Sequence, residues 1–92
     1  MITNIVFLKL KNKNELQNVR NELMRMNGNI NVLRELTVCE NIRNTDFDLV
    51  LMATYLSLSD FEVYVSDPLH IEVGNKITHL IENQVSACYE VD

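Results

Sequence analysis

Tryptophan is absent from these 92 residues, proline occurs once and glycine only twice. So few turn-formers exclude a flexible linker, a low-complexity segment and the glycine-rich loop that cradles phosphate. Cysteine is as scarce. Cys39 and Cys88 are too few for a disulfide framework, and they lack metal-ligand spacing. Eight basic residues stand against thirteen acidic ones, scattered along the chain, for a net charge of −5. That balance argues against nucleic acid or an anionic membrane as partner, because neutralising phosphate needs clustered Lys and Arg. No apolar run approaches bilayer length, and the first residues lack a basic region and a signal-like apolar block. The expectation is a cytoplasmic protein with no membrane partner.

What is present is an ordinary globular composition, 47% hydrophobic and 23% charged, read as one domain over residues 1–92. Met1–Lys11 reads as a strand. Ile2, Asn4, Val6, Leu8 and Leu10 share one face, while Ile5 and Phe7 lie on the other, so the strand is apolar on both sides and central. Asn4 is the polar exception. Asn14 with Gln17 resembles a capping box, and Leu16, Val19, Leu23 and Met26 recur at helical spacing, giving a helix over roughly 15–27 that stops at Asn27-Gly28.

Residues 30–42 alternate loosely through Ile30, Val32, Leu36, Val38 and Ile42, the pattern of an edge strand. A polar loop over 43–46 leads to Phe47–Leu56. There Leu49, Leu51, Ala53 and Tyr55 share one face and Val50 and Met52 supply the other, again a central strand. Ser59 and Glu62 suggest a capping box for the next helix, whose apolar face holds Phe61, Tyr64 and Val65. Pro68 breaks it, and Asp67-Pro68 restarts it with Asp as N-cap and Pro at the first helical position. The restarted helix runs to about Ile81, its buried stripe passing through His70, Val73 and Ile77. Val85, Ala87, Tyr89 and Val91 alternate as a last strand.

The order β-α-β-β-α-β with right-handed crossovers is the ferredoxin-like α+β arrangement, with both helices on one face of a four-stranded antiparallel sheet. Its central strands are the first and third, matching the two that are apolar on both sides. The uncovered sheet face would be a large apolar patch, so a homodimer through that face is expected. Cys39 and Cys88 fall on opposite sheet edges, roughly 14 Å apart at three strand spacings, beyond disulfide reach.

Asp48-Leu49-Val50-Leu51, Ser57, Asp60-Phe61, Tyr64, Pro68-Leu69-His70 and Glu72-Val73, with Ile5–Leu10 and Tyr89, resemble the stress-responsive A/B barrel (Dabb) family over nearly the whole chain. The resemblance implies a ferredoxin-like monomer pairing into a dimeric α/β barrel. A plant polyketide cyclase resembling the family uses a helix histidine, a nearby tyrosine and a first-strand histidine. The first two carry over to His70 and Tyr64, but Asn4 stands at the third. Asp67 replaces the family's usual histidine before proline, and Cys88 the aspartate before the final tyrosine.

His70 is the candidate catalytic base, since imidazole is the side chain suited to taking a proton alpha to a carbonyl. The competing reading is a half-buried histidine satisfied by a backbone carbonyl. Tyr64 either orients a substrate oxygen or is a core aromatic with its hydroxyl at the rim. Asn4 either lines a cavity near His70 or bonds to backbone. Tyr55 and Met52 are candidates to line the same space. Turn and cap roles explain Asp46, Asp48, Asp60 and Glu62 more simply than acid–base chemistry. His79 is about half a revolution round the helix from His70, so the two are not co-ligands. No metal and no cofactor are expected. The resulting readings are a protein binding a small, apolar, carbonyl-bearing molecule, a lyase or cyclase with His70 as base, and a structural dimer with a closed core.

Overall fold

A break in the helical layer and an uncovered strand in the sheet together position the site. The computed structural model describes residues 1–43 and 45–90; Asn44 of the expected polar loop and Val91 of the expected last strand lie outside them. The elements run β1 (Ile2–Leu10), α1 (Leu16–Met24), β2 (Glu35–Glu40), β3 (Leu49–Tyr55), α2 (Leu58–Ser66), α3 (Pro68–Ile77) and β4 (Ile81–Glu90). Short 3₁₀ turns precede α1 at Lys13–Glu15 and follow α3 at Thr78–Leu80. The sheet order is β2-β3-β1-β4, all antiparallel, with β1 and β3 central as expected. This is the ferredoxin-like α+β fold.

The register sorts the side chains. Ile2 pairs with Tyr55, Asn4 with Ala53, Val6 with Leu51 and Leu8 with Leu49, and this row faces the helices. Val19, Leu23, Met26, Val73 and Ile77 close over it, making one core. The alternate row carries Ile5, Phe7, Val50, Met52, Val85 and Tyr89 and has no helix above it. Phe7, Met52, Val85 and Tyr89 are all more than a third exposed there.

Several local expectations change. Asn12 caps the 3₁₀ turn that leads into α1, its Oδ1 accepting from Asn14 N at 2.9 Å, and α1 itself has Glu15 at its N-cap with no side-chain cap bond, in place of the expected Asn14–Gln17 pair. Ser57, not Ser59, caps α2, its Oγ accepting from Asp60 N at 3.2 Å. β2 is much shorter than residues 30–42. Ile30 and Leu33 are buried in turns, and the ladder begins with Arg34 N donating to Thr54 O, since β3 offers partners only up to Tyr55. The stop after α1 at Asn27-Gly28 is as expected, with Gly28 at a φ of 77°, the left-handed conformation glycine tolerates. β4 starts at Ile81, earlier than expected, because the chain leaves the turn after α3 directly into pairing with Leu10.

Asp48 is buried for a structural reason. Its Oδ2 accepts from Leu10 N at 2.8 Å where the β1–β4 register shifts between Lys9 and Leu10, and Lys13 Nζ lies 3.7 Å from Oδ1. Between α1 and α3, Arg25 bonds both Glu22 and Glu72, with Lys76 near Glu22.

Candidate functional site

The site originates in the break between α2 and α3. Proline has no N–H and pushes the preceding residue to extended geometry, and Asp67 is accordingly at φ −64°, ψ 134°. The Asp67 carboxylate accepts from Leu69 N at 2.8 Å, as expected of this N-cap. Leu69 N is the donor that would have reached back to Val65 O in an unbroken helix. Its diversion leaves the Val65 carbonyl orphaned at the end of α2. His70 fills the gap, with Nδ1 3.0 Å from Val65 O. A carbonyl oxygen only accepts, so the proton of the neutral ring sits on Nδ1 and Nε2 keeps its lone pair.

His70 borders a cavity of about 310 Å³ between the sheet and the helices. Val6 and Leu51 form its floor, Leu23 and Met26 one wall, and Val73, Ile77, Phe61 and Tyr64 the other. The helices do not reach across β4, so its inward residues Gln84 and Ser86 stay exposed and border the opening. The walls are mostly apolar with a few convergent polar groups, the usual make-up of a small-molecule site, at the small end of the range.

Both readings of Asn4 hold together. It lines the cavity and is buried, and its Nδ2 donates to Ala87 O at 3.2 Å and to Cys88 Sγ at 3.4 Å across the β1–β4 pair. The Ala87 carbonyl only accepts, which fixes the amide with Nδ2 toward β4. The Nδ2 donor is thus directed at β4.

Tyr64 touches His70 by its ring, the centroids 4.4 Å apart at 49°. Its hydroxyl donates to Met26 Sδ at 3.8 Å, a weak bond. Burial pushes the phenol up to about 12, and the nearby Tyr55 hydroxyl pulls the other way. Tyr55 does not line the cavity. It is fully buried behind Tyr64 and Phe61, ring centroids 5.2 and 5.4 Å away, and its hydroxyl has no hydrogen-bond partner among the described residues. Burial first, and the Tyr64 phenol next, hold it far above the ordinary tyrosine value. Met52 is a clear correction. The strand alternation that turns Leu51 and Ala53 inward turns Met52 to the open face beside Ile5, away from the cavity.

The sequence reading missed Gln84 and Ser86. Their signal was the polar alternation Gln84, Ser86, Cys88 between Val85, Ala87 and Tyr89, which is indistinguishable from a solvated strand face. Among the described residues no group of three or more His, Cys, Asp and Glu could hold a metal ion. Cys39 and Cys88 are free and exposed. Among the described residues no helix is long and apolar enough to cross a membrane.

The sequence model of the stress responsive A/B barrel domain matches residues 2–91. Among solved structures, a dimeric protein of unknown function and ferredoxin-like fold from Bacteroides fragilis superposes with a TM-score of 0.86 at 21% identity, covering 98% of this chain and 95% of that one. A Dabb family protein from Mesorhizobium loti gives 0.86 at 14% identity, covering 98% and 96%. A hydroxynitrile lyase from Passiflora edulis gives 0.85 at 16% identity, covering 99% and 93%. At these identities the likeness shows the fold alone. No curated protein gives a significant match.

Proposed function

The chain belongs to the stress responsive A/B barrel domain family, and on that premise we propose that it binds a small, largely apolar molecule between sheet and helices, held at His70. The observation that carries this is that His70 lines a mostly apolar cavity while its Nδ1 lies 3.0 Å from Val65 O, an arrangement that places the neutral ring's proton on Nδ1 and leaves Nε2 unprotonated. The carbonyl expected on the ligand finds no donor at Asn4, so the apolar body is kept and the carbonyl dropped. A cavity of about 310 Å³ beside His70 weighs against a structural dimer with a closed core.

A second reading is a lyase or cyclase in which His70 takes a proton from bound substrate. The free Nε2 favours it, as does the shared fold of a hydroxynitrile lyase. Asn4 cannot relay that proton, so His70 would act without a first-strand partner.

A thermal-shift screen of small aromatic and alicyclic compounds, wild type beside His70→Ala, tests the binding reading. At a ligand concentration of 100 Kd the stabilisation is about 2.7 kcal/mol. The variant should lose most of the resulting shift. Failure of every compound to shift the wild type would refute binding, and turnover of a bound compound that vanishes in the variant would move the second reading ahead.

The working unit we propose is a homodimer through the open sheet face. Exposed Phe7, Met52, Val85 and Tyr89 support it as an apolar patch rare on monomers, and a neighbour of the same fold is described as dimeric.

A further inference from the structure

We propose that the polar end of the cavity selects a hydrogen-bond donor, so that the ligand is a phenol or alcohol rather than a ketone or ether. The inference rests on the pocket reading above and specifies its ligand class. Two polar side chains line the cavity, His70 from α3 and Asn4 from β1, and the partners each already holds set the polarity of what is left. His70 presents an acceptor, because Val65 O holds its only ring proton. Asn4 presents an acceptor as well. Its Nδ2 hydrogens go to Ala87 O and Cys88 Sγ, and among the described residues Oδ1 receives no hydrogen bond.

Asn4 is buried, and its Oδ1 is not among the fully enclosed side-chain atoms without a partner, which are Thr54 Oγ1 and Tyr55 Oη, so that oxygen stays open as an acceptor beside the cavity Asn4 lines. A ligand hydroxyl placed against either group makes a bond. A ligand carbonyl or ether oxygen sets lone pair against lone pair and leaves the protein acceptor unpaired. The other nearby hydroxyls do not reverse this polarity. Tyr64 Oη is turned to Met26 Sδ, and Thr78 Oγ1 donates to Gly74 O at 2.5 Å. Gln84 and Ser86 are exposed at the mouth, where water satisfies them and they can turn to suit.

The test is a matched series of one shape and changing polarity: 4-propylphenol, its methyl ether 4-propylanisole, and 4-propylcyclohexanone, titrated calorimetrically into the wild type, His70→Ala and Asn4→Ala. The phenol should bind the wild type roughly tenfold more tightly than the ether or the ketone, the worth of one neutral hydrogen bond. Either variant should narrow that gap by weakening the phenol alone. Asn4→Ala also unties β1 from β4, so the wild-type series and His70→Ala carry the test if that variant does not fold. Ether and ketone binding as tightly as the phenol would overturn the donor preference while leaving the pocket standing. Binding by none of the three would overturn the pocket reading and this inference with it.

Discussion

The rings of Tyr64 and His70 pack against each other, tilted by 49° with 4.4 Å between centroids, although they belong to two different helices. In one continuous helix, residues six apart are rotated by about 240° and do not meet. The Asp67-Pro68 break brings them together. It also orphans the Val65 carbonyl that orients His70, so one proline and one aspartate set both the position and the tautomer of the candidate base.

Asp67→Ala should therefore weaken both fold and site. Loss of an N-cap costs about 1 kcal/mol, measurable as a lower urea midpoint with unchanged slope. Leu69 N is then free to compete for Val65 O, so the variant should also lose ligand-induced stabilisation beyond what its lower stability explains. Equal ligand shifts in variant and wild type would contradict this link.

Tyr64→Phe separates the hydroxyl from the ring. Near neutral pH the variant should melt close to the wild type, because the hydroxyl makes only a weak bond to sulfur. Alkali should distinguish them. A phenol at 10.0 in the unfolded chain and about 12 in the fold contributes stability present below pH 10 and lost as pH rises through the folded value. Melting temperatures from pH 9 upward should fall less steeply in Tyr64→Phe. Parallel curves would exclude Tyr64 from the alkaline transition.

The Arg25–Glu72 pair joins α1 to α3 on the surface. Hydrogen bonding to Arg25 holds the Glu72 carboxyl below the ordinary glutamate value. Its contribution is present above that value and lost as pH falls through the lower folded one. Glu72→Gln should thus flatten the acid limb of the stability curve slightly, and only at low salt, since exposed pairs are screened. Melting scans at pH 3 to 6 in low and high salt check this.

The open sheet face gives the assembly prediction. Phe7→Glu with Met52→Glu places charge in the patch without touching the cavity walls. Light scattering after size-exclusion chromatography should show a dimer for the wild type and a monomer for the double variant. A wild-type monomer at tens of micromolar would refute the dimer.

Element order, the two central strands and the capped break at Asp67-Pro68 were legible in the sequence, because periodicity and proline chemistry act locally. That Asn4, Tyr64 and His70 belong together was implied by the family resemblance alone, because spacing across the Pro68 break does not predict their distance. Met52 and Tyr55 were not placed. A central strand is apolar on both faces, so hydropathy does not tell which face looks toward helices, and it does not separate a wall residue from one packed behind the wall. Ile30 and Val32 mimicked a strand because turns packed on the core also carry apolar residues. Gln84 and Ser86 were hidden because a polar face looks the same whether it meets solvent or the mouth of a cavity.

The central claim is that His70 presents a free Nε2 to the cavity because Val65 O holds the proton on Nδ1. Long-range proton–nitrogen correlation of the histidine rings in the folded wild type, at a pH where His70 is neutral, reports this directly. The account predicts a His70 ring in the Nδ1–H form, with Nε2 showing the shift of an unprotonated nitrogen and moving when a ligand binds. A ring in the Nε2–H form, or the mixture shown by a free imidazole, would contradict it.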